Sequence, residues 1–151
     1  MAVSNVRGRI TVSFTRIPSP HTRQITPLVR RIMKKEMPSS AWDISIAAVT
    51  RQRMSELNRL YLHRKGTTDA LSFCLLRPTK RDVGIGEIIL DVPYIRVRAQ
   101  KISIPFLQEL KRVIAHACLH LAGYDHGTVR ERREMERKEL NILRSYNLNS
   151  R

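Results

Sequence analysis

The sequence has few cysteines and lacks a long apolar run. Its two cysteines, Cys74 and Cys118, are too few and too far apart for a disulfide framework or a four-cysteine zinc module. No stretch approaches the roughly 18 apolar residues of a membrane span, and the N-terminus lacks the apolar core of a secretory signal. We therefore expect a cytoplasmic protein without a membrane partner. An organellar location is the alternative, because residues 1–35 contain no acidic residue and many arginines.

Acidic and aromatic residues are also scarce. Thirteen Asp and Glu face twenty-eight Lys and Arg, which gives a formal net charge of +15. Such an excess predicts a polyanionic partner, and nucleic acid fits a compact basic protein best because neutralised phosphates release counterions. Charge does not separate RNA from DNA or from an anionic membrane surface. Aromatic residues make up 5% of the chain, so recognition should depend on backbone charge and shape rather than on base stacking.

The length and the apolar spacing predict one domain over residues 1–151. Period-two and β-branched runs predict strands over Arg9–Phe14, Trp42–Thr50, Thr67–Leu76 and Ile85–Leu90. Helical spacing predicts helices over Gln24–Met37, Arg51–Leu62, Tyr94–Lys101, Pro105–Ala122 and Val129–Tyr146. This order indicates an α+β fold, with a small four-stranded mixed sheet covered by about five helices.

Two of these helices have predicted inward faces that the structure can test. In the second helix, Met54, Leu57 and the Leu60/Tyr61 pair recur at helical spacing. In the last helix, the inward residues would be Met135, Leu140 and Leu143.

Three of the five histidines lie within eleven residues, at positions 116, 120 and 126. His116 and His120 are four residues apart, so a helix presents both imidazoles on one face. Gly123 lets the chain turn back, which brings His126 within reach as a third ligand. Three neutral imidazoles around Zn²⁺ leave a position for a catalytic water, which the metal acidifies. The spacing predicts one Zn²⁺ per chain on these histidines, at the end of a central helix.

The helix that carries the first two histidines has an apolar arc, and both histidines fall at its edge. The arc comprises Phe106, Leu110, Val113, Ile114, Ala117 and Leu121. A metal at this edge would be reached from a cleft. Cys118 points elsewhere and should be a small buried residue rather than a ligand. Glu109 lies about 10 Å along the axis from His116, too far for an obvious general base.

The segment His116–His126, HACLHLAGYDH, resembles the HGxLHLxGYDH signature of the YbeY family of zinc endoribonucleases, with Ala117 in place of the usual glycine. Further similarities lie at Asn58, at Tyr61, in TDALSF (Thr68–Phe73) and in GEII (Gly86–Ile89). The predicted order of strands and helices agrees with that family's fold. The resemblance implies a zinc-dependent endoribonuclease whose partner is ribosomal RNA or the small ribosomal subunit, acting in rRNA maturation and ribosome quality control.

The sequence departs from that family at one position linked to activity. The family usually has an arginine directly after the tyrosine, and here this position is Leu62. Arg59, about one helical turn earlier, and Arg64, just beyond, offer guanidinium groups nearby. With Lys65, they are the candidates for holding an RNA phosphate.

Two other functions compete with the nuclease. A metalloprotease or other amide hydrolase also uses a helical histidine pair, a glycine turn and a third histidine, but Ala117 stands where the glutamate of HExxH would be. A non-catalytic ribosome-assembly factor would keep the zinc for stability and bind RNA by charge, and Leu62 favours that alternative.

Overall fold

The apolar spacing of the sequence is realised as four strands and five helices. A computed structural model describes residues 7–149, so the ends of the predicted domain lie outside the described residues. The strands are β1 (Ile10–Thr15), β2 (Trp42–Ala48), β3 (Ala70–Leu76) and β4 (Gly84–Leu90). The helices are α1 (His21–Glu36), α2 (Arg51–Leu62), α3 (Val92–Lys101), α4 (Phe106–Leu121) and α5 (Val129–Asn149).

The strands form one mixed sheet in the order β1-β2-β4-β3. β1, β2 and β4 are parallel, and Trp42 of β2 pairs with Ile10 on one side and Gly84 on the other. β3 runs antiparallel to β4 at one edge, with Ala70 opposite Leu90. The prediction of a four-stranded mixed sheet in an α+β fold is therefore confirmed.

The two faces of the sheet are covered by different helices. Ile88 and Leu90 are buried in the main core with residues of α1, α3, α4 and α5. Ile89 lies between them in sequence and packs instead with Met54 and Leu57 of α2, because successive side chains of a strand point to opposite faces. α4 contacts α1, α3, α5 and the sheet, which makes it the central helix of the fold.

The starts of β3 and α3 differ from the prediction because Asp91 forms hydrogen bonds with residues near both. β3 begins at Ala70 rather than Thr67. The Thr67 hydroxyl donates a 2.7 Å hydrogen bond to Asp91 Oδ2, which holds this residue outside the strand. The other oxygen of Asp91 accepts from the Tyr94 amide at 3.0 Å and caps α3, which starts at Val92.

The predicted inward face of α2 is wrong at its C-terminal end. Leu60 is 64% exposed and Tyr61 is 56% exposed. Asn58 is buried instead, and its side-chain amide donates to the Gly66 carbonyl at 3.0 Å. The buried positions of the helix are Met54, Leu57 and Asn58. A polar side chain thus takes an inward position because it holds the loop that follows.

The predicted inward face of α5 is also partly wrong. Leu140 is 54% exposed, while Leu143 packs against the core in a partly buried position. The buried residues of α5 are Met135, Glu139, Ile142 and Tyr146, which follow helical spacing. An acidic residue therefore lies within the buried face of α5. Across residues 7–149, every helix is too short or too polar to cross a membrane.

Candidate metal centre

α4 carries the first two histidines at the edge of its buried face. Leu110, Val113, Ile114, Ala117 and Leu121 of the predicted arc are all buried, whereas His116 and His120 are of intermediate exposure. Phe106 is partly buried against the same core. The prediction that the histidines border the core, rather than occupy it, is confirmed.

A glycine turn follows α4 and brings the third histidine to the first two. Gly123 has a φ of +104°, a conformation that favours glycine. Its amide donates to the His120 carbonyl at 3.0 Å, and the Tyr124 amide donates to Leu119 at 3.0 Å, which closes the end of the helix. The chain then reverses, so that the His126 ring centroid lies 4.8 Å from that of His120 and 5.8 Å from that of His116.

The geometry of the three imidazoles suits a transition-metal ion. One ligand nitrogen of each histidine lies within 4.8 Å of the others. The Nε2 atoms of His116 and His120 are 3.2 Å apart. Two nitrogens bound tetrahedrally to one Zn²⁺ at about 2.0–2.1 Å would lie about 3.3 Å apart. His116, His120 and His126 could therefore hold a metal ion with little movement of the two helical ligands.

Each helical histidine has a hydrogen-bond partner on its Nδ1 atom. His116 Nδ1 lies 2.9 Å from Glu139 Oε2 of α5, and His120 Nδ1 lies 2.9 Å from the Tyr124 carbonyl oxygen. Both arrangements leave Nε2 directed at the shared site. Burial, and then the neighbouring His116, lower the pKa of His120. A lowered pKa favours the neutral imidazole, which is the form that binds metal.

Behind the histidines lies a network of charged groups centred on Arg112. Its guanidinium donates to both oxygens of Glu109 at 2.6–3.1 Å and to Glu139 Oε1 at 3.4 Å, and it lies 3.7 Å from Asp69 Oδ2. Glu109 is fully buried and also pairs with Arg98 at 3.3 Å. Both carboxylate oxygens of Glu109 accept hydrogen bonds from Arg112, so this residue is not free to act as a base. This agrees with the expectation that Glu109 lies too far from His116 for that role.

The second cysteine is not part of the metal site. Cys118 is fully buried, and burial raises the pKa of its thiol to about 12. A thiol with so high a pKa stays protonated and is a poor metal ligand. The prediction of a small buried residue is confirmed.

Comparison with known proteins identifies the family. The family model described as endoribonuclease YbeY matches residues 11–147, which is nearly the whole chain. The chain belongs to this family.

Members of the YbeY family and a solved structure align with this chain over two thirds or more of their own length. Endoribonuclease YbeY of Bacillus licheniformis is 29% identical over 148 residues, which is 92% of this chain and 94% of that protein. Endoribonuclease YbeY of Thermodesulfovibrio yellowstonii is 38% identical over 106 residues, or 67% of each chain. The solution structure of a Thermotoga maritima protein is similar with a TM-score of 0.63 and 25% identity, covering 91% of this chain and 88% of that one.

The phosphate candidates lie at the surface near the end of α2. Arg59 is exposed in the last turn of the helix, and Arg64 and Lys65 are exposed in the loop beyond it. Leu62 is 47% exposed in the same region. Asp69, at the far end of this loop, reaches Arg112 on α4, one turn before His116. That contact links the loop to the histidine helix, while the roles of Arg59, Arg64 and Lys65 stay predictions.

Sequence reasoning missed Glu139 and Arg112. A signal for Glu139 was present, because it lies at helical spacing between Met135 and Ile142 on the face of α5 that is buried. An acid on an apolar face needs a buried partner. Nothing in the sequence pointed to His116 as that partner.

Proposed function

We propose that this chain is a zinc-dependent endoribonuclease that acts on ribosomal RNA in the maturation of the small subunit. The observation that carries the proposal is the convergence of His116, His120 and His126, with two Nε2 atoms at a separation suited to zinc. Membership of the YbeY family supports the nuclease activity. We propose Zn²⁺ as the metal, since three imidazoles with one open position are typical of catalytic zinc.

The residues around the site suit a phosphate substrate. The three proposed ligands are imidazoles and not carboxylates or thiolates, so they would not cancel the charge of a divalent ion. Zinc bound there would supply Lewis-acid stabilisation of charge at a phosphoryl oxygen. Arg59, Arg64 and Lys65 are exposed cations that would bind the RNA backbone and orient it toward the histidines. We infer weak sequence specificity, because backbone contacts carry no base information.

Within the described residues, neither Glu109 nor Glu139 is placed to act as the base that the amide-hydrolase alternative needs. Ala117 occupies the position of the HExxH glutamate and is buried. Glu109 is held by Arg112 and Arg98, and the Oε2 atom of Glu139 faces the Nδ1 atom of His116, away from Nε2. General-base catalysis requires a group within hydrogen-bond reach of the reacting water. The assembly-factor alternative keeps one favourable observation, the leucine at position 62. The cytoplasmic location stays a prediction.

The decisive experiment combines metal analysis with RNA cleavage. We expect the purified chain to contain about one zinc per molecule and to cleave rRNA fragments in a zinc-dependent manner. His120→Ala should lose both properties, because two imidazoles no longer make a three-ligand site. His63→Asn is the matched control for metal content. His63 is exposed and has a φ of +54°, a conformation that asparagine tolerates.

Each alternative has its own outcome. Zinc retention without zinc-dependent cleavage would favour the assembly factor. Cleavage of peptides but not of RNA would favour the amide hydrolase. A wild-type chain that retains no transition metal would refute the metal centre.

A further inference from the structure

We propose that Glu139 is a positioning residue of the metal centre, whose carboxylate sets the orientation and tautomer of His116. Its Oε2 atom lies 2.9 Å from His116 Nδ1, and its side chain is 11% exposed. The two residues belong to different helices, α5 and α4. This inference rests on the proposed metal centre and adds to it a residue outside the ligand set.

The chemistry of the contact determines which nitrogen of His116 faces the metal. An ionised carboxylate accepts hydrogen bonds and donates none, so His116 Nδ1 must carry the proton. In a neutral imidazole the other nitrogen then holds a free lone pair. That nitrogen, Nε2, lies 3.2 Å from Nε2 of His120, on the side of the ring where the metal would bind. Glu139 thus prepares His116 as a ligand before any metal arrives.

Arg112 keeps the Glu139 carboxylate in place. Its Nη1 atom lies 3.4 Å from Glu139 Oε1, so one carboxylate oxygen faces arginine and the other faces histidine. Hydrogen bonding to Glu109 is the main cause that raises the pKa of Arg112, which therefore stays cationic. A nearly buried carboxylate is stabilised by such a partner. Arg112 also lies 3.7 Å from Asp69, which connects this arrangement to the segment before β3.

The two helical ligands are therefore oriented in different ways. His120 is oriented by the Tyr124 carbonyl, a backbone group four residues ahead, in the loop after α4. His116 is oriented by a side chain 23 residues away. His116 can adopt its metal-binding orientation in this way only when α5 is packed against α4. The last helix is thus part of the metal centre, although it supplies no ligand.

The test compares zinc affinity among variants of the full chain, measured by competition with a chelator. Glu139→Ala should weaken zinc binding about 10- to 100-fold, the usual effect of losing a carboxylate behind a metal-bound histidine. Glu139→Gln should have a smaller effect, since its amide oxygen can still accept from Nδ1. Glu136→Gln is the matched control. Glu136 is exposed on the same helix, and this variant should bind zinc like the wild type.

A second measurement separates positioning from packing. Nitrogen-15 NMR of the metal-free chain should show His116 protonated at Nδ1 in the wild type. In Glu139→Ala the proton should shift toward Nε2, while unchanged backbone amide shifts of α4 and α5 show that the two helices are still packed together. Should Glu139→Ala fail to fold, Glu139→Gln serves for both measurements, and a reduced affinity or altered tautomer population is expected there.

Three results would overturn the inference. One is a folded Glu139→Ala that binds zinc as tightly as the wild type. Another is a folded Glu139→Ala whose His116 stays protonated at Nδ1. The third is a Glu139→Gln variant with wild-type affinity and tautomer, which would remove the need for a carboxylate. All three leave zinc binding by the wild type intact. A wild-type chain that binds no zinc would instead refute the proposed function, so the two failures are distinguishable.

Discussion

The hydroxyl of Tyr124 donates a 2.8 Å hydrogen bond to Glu36 Oε2, joining the loop after α4 to the end of α1. Lys138 of α5 contributes to the same contact, with its Nζ atom 3.2 Å from that oxygen and 4.9 Å from the Tyr124 ring centroid. The carbonyl of the same tyrosine faces His120 Nδ1. Tyr124 thus connects the loop after α4 to α1 and α5 by its side chain, and it contacts His120, a proposed ligand, by its backbone carbonyl.

Tyr124→Phe should reduce stability without removing the metal. Burial raises the pKa of Tyr124, so the hydroxyl keeps its proton and donates to Glu36 at neutral pH. Loss of this bond should lower the free energy of unfolding by about 0.5–1.5 kcal/mol in chemical denaturation. Zinc content should be unchanged, since the carbonyl remains. Tyr61→Phe is the control, because Tyr61 is 56% exposed. Equal stability of the two variants would contradict the prediction.

The stability of the metal-free chain should fall as pH drops below about 6.5. Burial lowers the pKa of His120 from its usual 6.5, so between the two pKa values the unfolded chain binds more protons than the folded one. The folded state is therefore unaffected above this window and loses stability as pH falls through it. Unfolding free energies from pH 7.5 to 5.5 test this, with His120→Gln expected to show a shallower decline. Parallel curves for wild type and variant would contradict it.

RNA binding should weaken steeply with salt. Arg59, Arg64 and Lys65 are exposed, and phosphate contacts release about 0.7–0.9 counterions each. Replacing Arg64 and Lys65 together by alanine should reduce the slope of log affinity against log salt by about 1.4–1.8, the sum for two lost phosphate contacts. Filter binding across a salt series measures the slope. An affinity that barely changes with salt would show that phosphate neutralisation is not its source.

The leucine at position 62 provides the sharpest test of catalysis. If a nearby guanidinium replaces the arginine that the family usually has there, Arg59→Ala or Arg64→Ala should lower the cleavage rate about tenfold or more, with zinc content unchanged. The reason is that a phosphate clamp acts in the transition state without binding metal. Arg53→Ala is the matched control, since Arg53 lies near the other end of α2, where it pairs with Glu56.

The opposite pattern would identify an attenuated nuclease. In that case neither alanine variant would slow cleavage, and Leu62→Arg would raise the rate about tenfold or more. Leu62 is 47% exposed, so an arginine there would not be buried. If no variant cleaves RNA in a metal-dependent way, the assembly factor becomes the better explanation.

Local sequence patterns were enough to predict the secondary structure and the histidine cluster. α2 has the predicted bounds, and β1 and β4 differ from prediction by a single residue at their ends. His116 and His120 share a face because a helix repeats every 3.6 residues, and Gly123 permits the turn that returns His126. These relationships span at most ten residues, over which backbone geometry alone determines proximity.

Relationships between distant segments depended on how the helices pack. Leu60 and Tyr61 have apolar spacing but lie exposed, because they belong to the last turn of α2, where Tyr61 packs against Phe73 of the edge strand β3. Glu139 meets His116 across 23 residues, and Tyr124 meets Glu36 across 88. Periodicity specifies which face of a helix is apolar. Which residue that face contacts depends on where two helices cross, and this is determined by the packing of their side chains in the core.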